Sequence, residues 1–158
     1  MNDIAVYETW EELVAILVPF VTRCGAAALC GALIGIERER KAKPAGFRTN
    51  ILICLGSSMY MSVGLLLVTD GNQAGSDPAR IAAQVVTGIG FLGAGCIIQD
   101  RGQVKGLTTA ATIWVVAAIG IIAGAGFPVV AFVATLMVLA TLALLQQVER
   151  RMNNEHED

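Results

Sequence analysis

Glu37, Arg38, Glu39 and Arg40 alternate in sign, and a Pro44-Ala45-Gly46 turn separates them from Arg48, Thr49 and Asn50. Carboxylates and guanidinium groups gathered on a rigid turn can form charge-assisted hydrogen bonds with a partner or a charged solute. A second constellation is Arg80 and Gln84, four residues apart and continued by Thr87, with Asp77 just upstream. On a helix these share one face, polar enough to line a cavity. Thr109 and Trp114 complete the set of candidate partner or solute residues. The chemistry these side chains offer is binding rather than bond-making. No HExxH or GxSxG motif is present. Ser57 and Ser58 follow Gly56, but helical serines ordinarily bond the local backbone. The one histidine, His156, lies in a charged tail, and Cys24, Cys30, Cys54 and Cys96 form no CxxC pair. We therefore expect no catalytic residue, no metal site and no cofactor, and read the cysteines as small buried packing residues.

The elements that must hold these residues are apolar. Of the 158 residues, 55% are hydrophobic and 15% charged, against about 25% charged in an ordinary soluble domain. Five stretches are nearly free of charge: Leu13 to Ile36, Thr49 to Val68, Ile81 to Ile98, Leu107 to Gly126 and Pro128 to Leu145. About 20 helical residues cross the ~30 Å hydrocarbon layer. The expected fold is an all-α membrane protein of five transmembrane helices, with a membrane domain over 1–148 and a short charged cytoplasmic tail over 149–158.

Orientation follows from the basic residues. With five spans, Arg38, Arg40, Lys41, Lys43, Arg48, Arg101, Lys105, Arg150 and Arg151 all fall on one side. Basic loops stay in the cytoplasm, so the N-terminus is expected outside and the C-terminus inside. That rule accounts for the basic face and removes the need for nucleic acid as a partner. The acidic opening MNDIAVYETWEE lacks the form of a cleavable signal peptide. Asp77-Pro78 reads as a helix start, with Pro128 at the first turn of helix five. Pro19 predicts either a kink in helix one or a late start to it. Residues 70–77 and 99–105 read as loops on opposite sides.

Glycine carries a further signal. Ala27, Gly31 and Gly35 recur every fourth residue on helix one, as do Gly120 and Gly124 on helix four, a spacing that lets helix backbones approach closely. Gly88, Gly90, Gly93 and Gly95 in TGIGFLGAG are denser. Either this helix crosses a neighbour very closely, or it is locally unwound around a polar site. Gly35 and Gly46 are eleven residues apart, as are Gly95 and Gly106, and Thr49 and Thr109 each follow three residues later. That echo raises a two-hairpin repeat, with chance similarity as the alternative. Arg23, inside the first span, is expected to snorkel toward Glu11, Glu12 or the outer loop, and Trp114 to pack in the core.

Three segments together, GALIGIERERKAKPAGFRTN (31–50), DPARIAAQVVTGIGFLGAG (77–95) and VKGLTTAATIWVVAAIG (104–120), resemble the MgtC/SapB family of bacterial inner-membrane proteins. The resemblance covers nearly the whole hydrophobic chain. It implies a five-helix membrane domain serving adaptation to low magnesium or acid stress. It also implies a regulatory mode of action on other membrane proteins, notably the proton-translocating ATP synthase. By position, the motif includes Gly31, Gly35, Glu37, Arg38, Gly46, Arg48, Thr49, Asn50, Asp77, Arg80, Gln84, the four glycines of TGIGFLGAG, Gly106, Leu107, Thr109 and Trp114. Virulence-type members carry a soluble C-terminal domain after the last helix. Here the sequence ends in QQVERRMNNEHED, so the expectation is the membrane domain alone.

The leading expectation is a non-enzymatic module that associates with itself, by default as a dimer, and with other inner-membrane proteins, in contact with membrane lipid. The alternative is a transporter or channel for an ion or small solute. Magnesium favours oxygen ligands including carboxylates, and the acids Glu37 and Asp77 lie only at span edges.

Overall fold

The structure is a computed structural model that describes residues 9–69, 77–100 and 102–154. Most of the 70–77 loop, Arg101, the first eight residues and the end of the tail with His156 lie outside the described residues. Five helices make up most of what remains: α1 (Trp10–Arg40), α2 (Phe47–Thr69), α3 (Pro78–Gly95), α4 (Leu107–Gly124) and α5 (Pro128–Asn154). α1, α2, α4 and α5 are each long and apolar enough to cross a membrane. α3 is not among these four, because Arg80, Gln84 and its glycines dilute its apolar residues.

Local chemistry sets the helix ends. Thr9 caps α1 by accepting the Glu12 N–H at 3.3 Å, and α1 then runs unbroken through Pro19, which excludes a late start. Asp77 caps α3 through the Ala79 N–H at 2.9 Å, with Pro78 in the first turn as its fixed φ favours. Pro128 opens α5, which continues past residue 148 to Asn154. Where a loop was expected at 99–105, the chain forms a small antiparallel hairpin of β1 (Ile98–Asp100) and β2 (Gln103–Lys105), with Ile98 opposite Lys105. Gly102 turns it at a φ of +83°.

The helices alternate in direction, and single contacts fix their register. Phe47 at the start of α2 meets Gly35 near the end of α1. At the opposite end Arg23 of α1 and Ser62 of α2 both reach Gly124 of α4. Ile81 near the start of α3 meets Gly64 of α2, and Ala110 of α4 meets Gly93 near the end of α3. α3 therefore runs alongside α2 and α4 over nearly the length of α4. α4 sits at the centre, touching all four other helices, and its Ile113, Val116, Ala117, Ile119 and Ala123 form the core with Ala27, Cys30 and Ile34 of α1.

Glycine makes that centre tight. A methyl group on Gly31 would come within 2.7 Å of the Asn50 carbonyl oxygen and 2.9 Å of the Cys54 side chain. One on Gly35 would sit 2.8 Å from the Phe47 Cα, and one on Gly124 would sit 2.8 Å from the Ser58 Cα. A methyl on Gly120 would collide with the Cys54 carbonyl. α2 is thus gripped between glycine faces of α1 and α4. Without a hydrophobic drive between helices in lipid, such close approach supplies the packing energy.

Candidate functional site

The α1–α2 turn is built from its own charges. α1 ends in a Schellman motif: Lys43 N–H bonds the Arg38 carbonyl at 3.0 Å and Ala42 N–H bonds the Glu39 carbonyl at 2.9 Å. Ala42 takes the left-handed conformation this motif requires, at φ 51°. Glu39 then reaches across the turn, where its Oε2 accepts the Phe47 N–H at 2.9 Å. That oxygen also occupies the space a side chain at position 46 would need, so any larger residue there would displace the Glu39 carboxylate. A carboxylate at this point satisfies an orphan N–H and complements the positive end of α2. From the other side, buried Asn50 donates through Nδ2 to the carbonyls of Ala45 at 2.9 Å and Gly46 at 2.7 Å.

The candidate residues of this region divide into two groups. Arg38 is only 3% exposed; its Nη2 points to Thr109 Oγ1 on α4 at 3.4 Å, and its Nε has no hydrogen-bond partner. Glu37 sits beside it with both carboxylate oxygens shielded from solvent, paired by charge with Lys41 without hydrogen-bond geometry. These side chains, with Asn50 and Thr109, serve the interior. Arg40, Lys43, Arg48 and Thr49 stay exposed. Arg40, Arg48 and Thr49 line a groove of about 600 Å³ with Glu39, Pro44 and Phe47.

The second constellation lies at the opposite end of the bundle. Arg80 and Gln84 are exposed on α3 and line a groove of about 710 Å³ between α2 and α3. Asp77 serves as the α3 cap. The structure does not bring Arg80 and Gln84 to Arg48 or Thr109. Gly56 and Tyr60 of α2, which the sequence reading did not single out, face the same groove. Tyr60 lies well inside α2, too deep for the interfacial pattern of aromatic residues, so no local sequence signal marks it.

Several expectations are corrected. α3 is one continuous helix, so TGIGFLGAG is not unwound. Nor does it cross a neighbour closely at each glycine: a methyl group on Gly93 would meet the Ala110 side chain at an ordinary 3.7 Å, and one on Gly88, Gly90 or Gly95 would meet nothing within 4 Å. Trp114 is 52% exposed on the outer face of α4, because the inner face is taken by Ile113, Val116 and Ala117. Arg23 turns to the C-terminus of α4, where its Nη1 lies 3.4 Å from the Gly124 carbonyl. The two glycine echoes are built differently: Gly46 is packed under Glu39, whereas Gly106, at φ +92°, sits against the Cys96 carbonyl beside the hairpin. Among the described residues no group of three or more His, Cys, Asp or Glu side chains could hold a metal ion.

Comparison with known proteins identifies relatives. The family model described as the MgtC family matches residues 25–151. A relative from Escherichia coli K12 named "Putative magnesium transporter YhiD" is 46% identical over 134 residues, which is 83% of this chain and 62% of that one. Protein MgtC of Salmonella typhimurium LT2 is 41% identical over 138 residues, 87% of this chain and 57% of its own. Protein MgtC of Brucella abortus is 46% identical over 120 residues, 76% of this chain and 48% of its own. The chain thus spans about half to three-fifths of the length of the curated relatives it matches. No solved structure is a significant match. With membrane-length apolar helices packed through glycine and a family match over most of its length, this multi-pass protein of the bacterial inner membrane belongs to the MgtC family.

Proposed function

We propose that the chain is a non-enzymatic membrane module that docks on other inner-membrane proteins through its α1–α2 turn and modulates them when magnesium is scarce or the surroundings are acid. The observation that carries this reading is the division of charge at the turn. Glu39, Asn50 and the Schellman bonds hold the backbone from within, which leaves Arg40, Lys43, Arg48 and Thr49 exposed on a fixed ledge. A preorganised surface loses little conformational freedom on binding. Topology alone would need only basic residues, without this scaffold. The names of the relatives MgtC and YhiD support the link to magnesium.

The reading includes five crossings, with the N-terminus outside and the ledge in the cytoplasm. The alternating direction of the helices and the run of α3 beside α4 support it, as does the basic character of the α1–α2 turn. It also includes self-association, with a dimer as the simplest symmetric form. Transport of an ion or solute is the lesser reading. The α2–α4 seam, where the small polar residues Ser57 and Ser58 lie, is closed by Gly120 and Gly124 packed against them.

The test is affinity capture in gentle detergent from magnesium-rich and magnesium-starved cells, with partners identified by mass spectrometry. A stoichiometric membrane partner that is lost with Arg48→Ala supports the reading. Capture that is unchanged by Arg48→Ala, or recovery of this chain alone, overturns it. Magnesium or proton flux in liposomes would move the weight to transport.

A further inference from the structure

The groove between α2 and α3 carries its charged and amide side chains at one end only. Gly64 meets Ile81 at the top of the helix pair, so Tyr60, Arg80 and Gln84 gather at the same end. From there the walls are apolar apart from the buried Ser57, with Ile53 and Ile89 in the floor and Leu52 and Leu92 at the far end. Gly56 and Gly88 keep the middle open, since a methyl group on either would meet nothing within 4 Å. Arg80 forms no ion pair among the described residues, and neighbouring Asp77 spends its carboxylate on the Ala79 N–H. From Arg80 to Leu92 the helix rises about 18 Å, close to the ~15 Å depth of one leaflet's hydrocarbon.

We propose that this groove holds one anionic phospholipid, with its phosphate at Arg80 and an acyl chain laid along Gly56 and Gly88 toward Leu92. One cation at one end of an apolar channel one leaflet deep is complementary to an amphiphile with one charged end. Gln84, a turn deeper than Arg80, is placed to donate to an ester carbonyl. A guanidinium matches a phosphate in both charge and hydrogen-bond geometry. The site is independent of the docking ledge, which lies at the opposite end of the bundle.

Native mass spectrometry tests it on the whole chain, purified with equimolar palmitoyl-oleoyl phosphatidylglycerol and phosphatidylethanolamine. Wild type should retain one phosphatidylglycerol per chain, with a preference of about fivefold for one guanidinium–phosphate contact. Arg80→Ala should abolish the preference and Arg80→Lys should keep it. Gly88→Leu and Gly56→Leu fill the groove from positions with free space, and each should lower retention of both lipids while thermal unfolding shows a folded protein. Equal retention of the two lipids by wild type overturns the proposal, as does retention unaffected by either leucine. A dimer that Gly88→Leu dissociates while bound lipid is unchanged would give the groove to a second copy. Displacement of phosphatidylglycerol by millimolar inorganic phosphate would reduce the site to a bare anion contact and overturn the acyl-chain assignment.

Discussion

Arg23 Nη1 and the Gly124 carbonyl oxygen lie 3.4 Å apart, and Ser62 Oγ donates to the same oxygen at 3.2 Å. These two side chains complete the C-terminus of α4. The Ala125 N–H takes the Ile121 carbonyl, and a Schellman pair from Gly126 and Phe127 takes those of Ala123 and Ile122. All four terminal carbonyls therefore have donors, as a helix end away from water requires. Arg23→Ala alone should cost about 1 kcal/mol, because Ser62 still serves the oxygen. The double change with Ser62→Ala should cost more than the sum of the two single changes, since only then is the carbonyl orphaned. Thermal unfolding in detergent micelles measures both; strict additivity would show that the two donors do not share one acceptor.

Gly120 and Gly88 make opposite predictions for the same substitution. Gly120→Ala drives a methyl into the Cys54 backbone and should destabilise by about 1–3 kcal/mol, the usual cost of overpacking. Gly88→Ala meets open space and should be neutral or stabilise by up to ~1 kcal/mol from helix propensity. The order of unfolding temperatures checks the pair: Gly120→Ala below wild type, Gly88→Ala at or above it.

Which parts of this architecture were legible in the sequence depends on the range of the physics involved. Helix starts such as Asp77-Pro78 and the charged Pro-Gly turn are set by residues within a few positions, and a single sequence displays them. The fate of Arg23 was not legible, because its acceptor lies on another helix and depends on the depth at which α1 and α4 meet. Trp114 is exposed for a related reason: a sequence displays depth along a helix, but not which face turns inward. Both grooves needed two helices in register before they existed. The glycine density of TGIGFLGAG predicts a close crossing or a break, whereas three of its four glycines leave space beside α3.

Glu39 tests how far a single carboxylate organises the docking ledge. Glu39→Ala removes the acceptor from the Phe47 N–H and should cost about 1 kcal/mol, in the range of other N-terminal caps. Glu39→Gln keeps an oxygen acceptor but loses the charge that complements the α2 N-terminus, so about half that loss is expected. Unfolding curves of the two variants separate the terms. Equal losses would assign the whole effect to charge.

Arg38 and Arg48 stand ten residues apart in the same motif, yet they should respond differently to substitution. Arg38 is buried, held by one long hydrogen bond to Thr109 and a neighbouring Glu37, while Arg48 is exposed. A buried cation is expensive to leave without a hydrogen-bond partner, whereas replacing it by an apolar side chain of similar length still leaves Glu37 paired with Lys41. Thr109→Val should therefore destabilise by about 1–3 kcal/mol, because Arg38 stays buried and loses its hydrogen bond. Arg38→Met should be nearly neutral, and the double change should recover most of the loss caused by Thr109→Val. Because Arg38 cannot reach a partner from its buried position, Arg38→Met should also leave partner capture intact where Arg48→Ala abolishes it. Unfolding temperature and capture measured on the same preparations decide the matter; loss of capture by a stably folded Arg38→Met would move the docking surface from the exposed ledge to the interior.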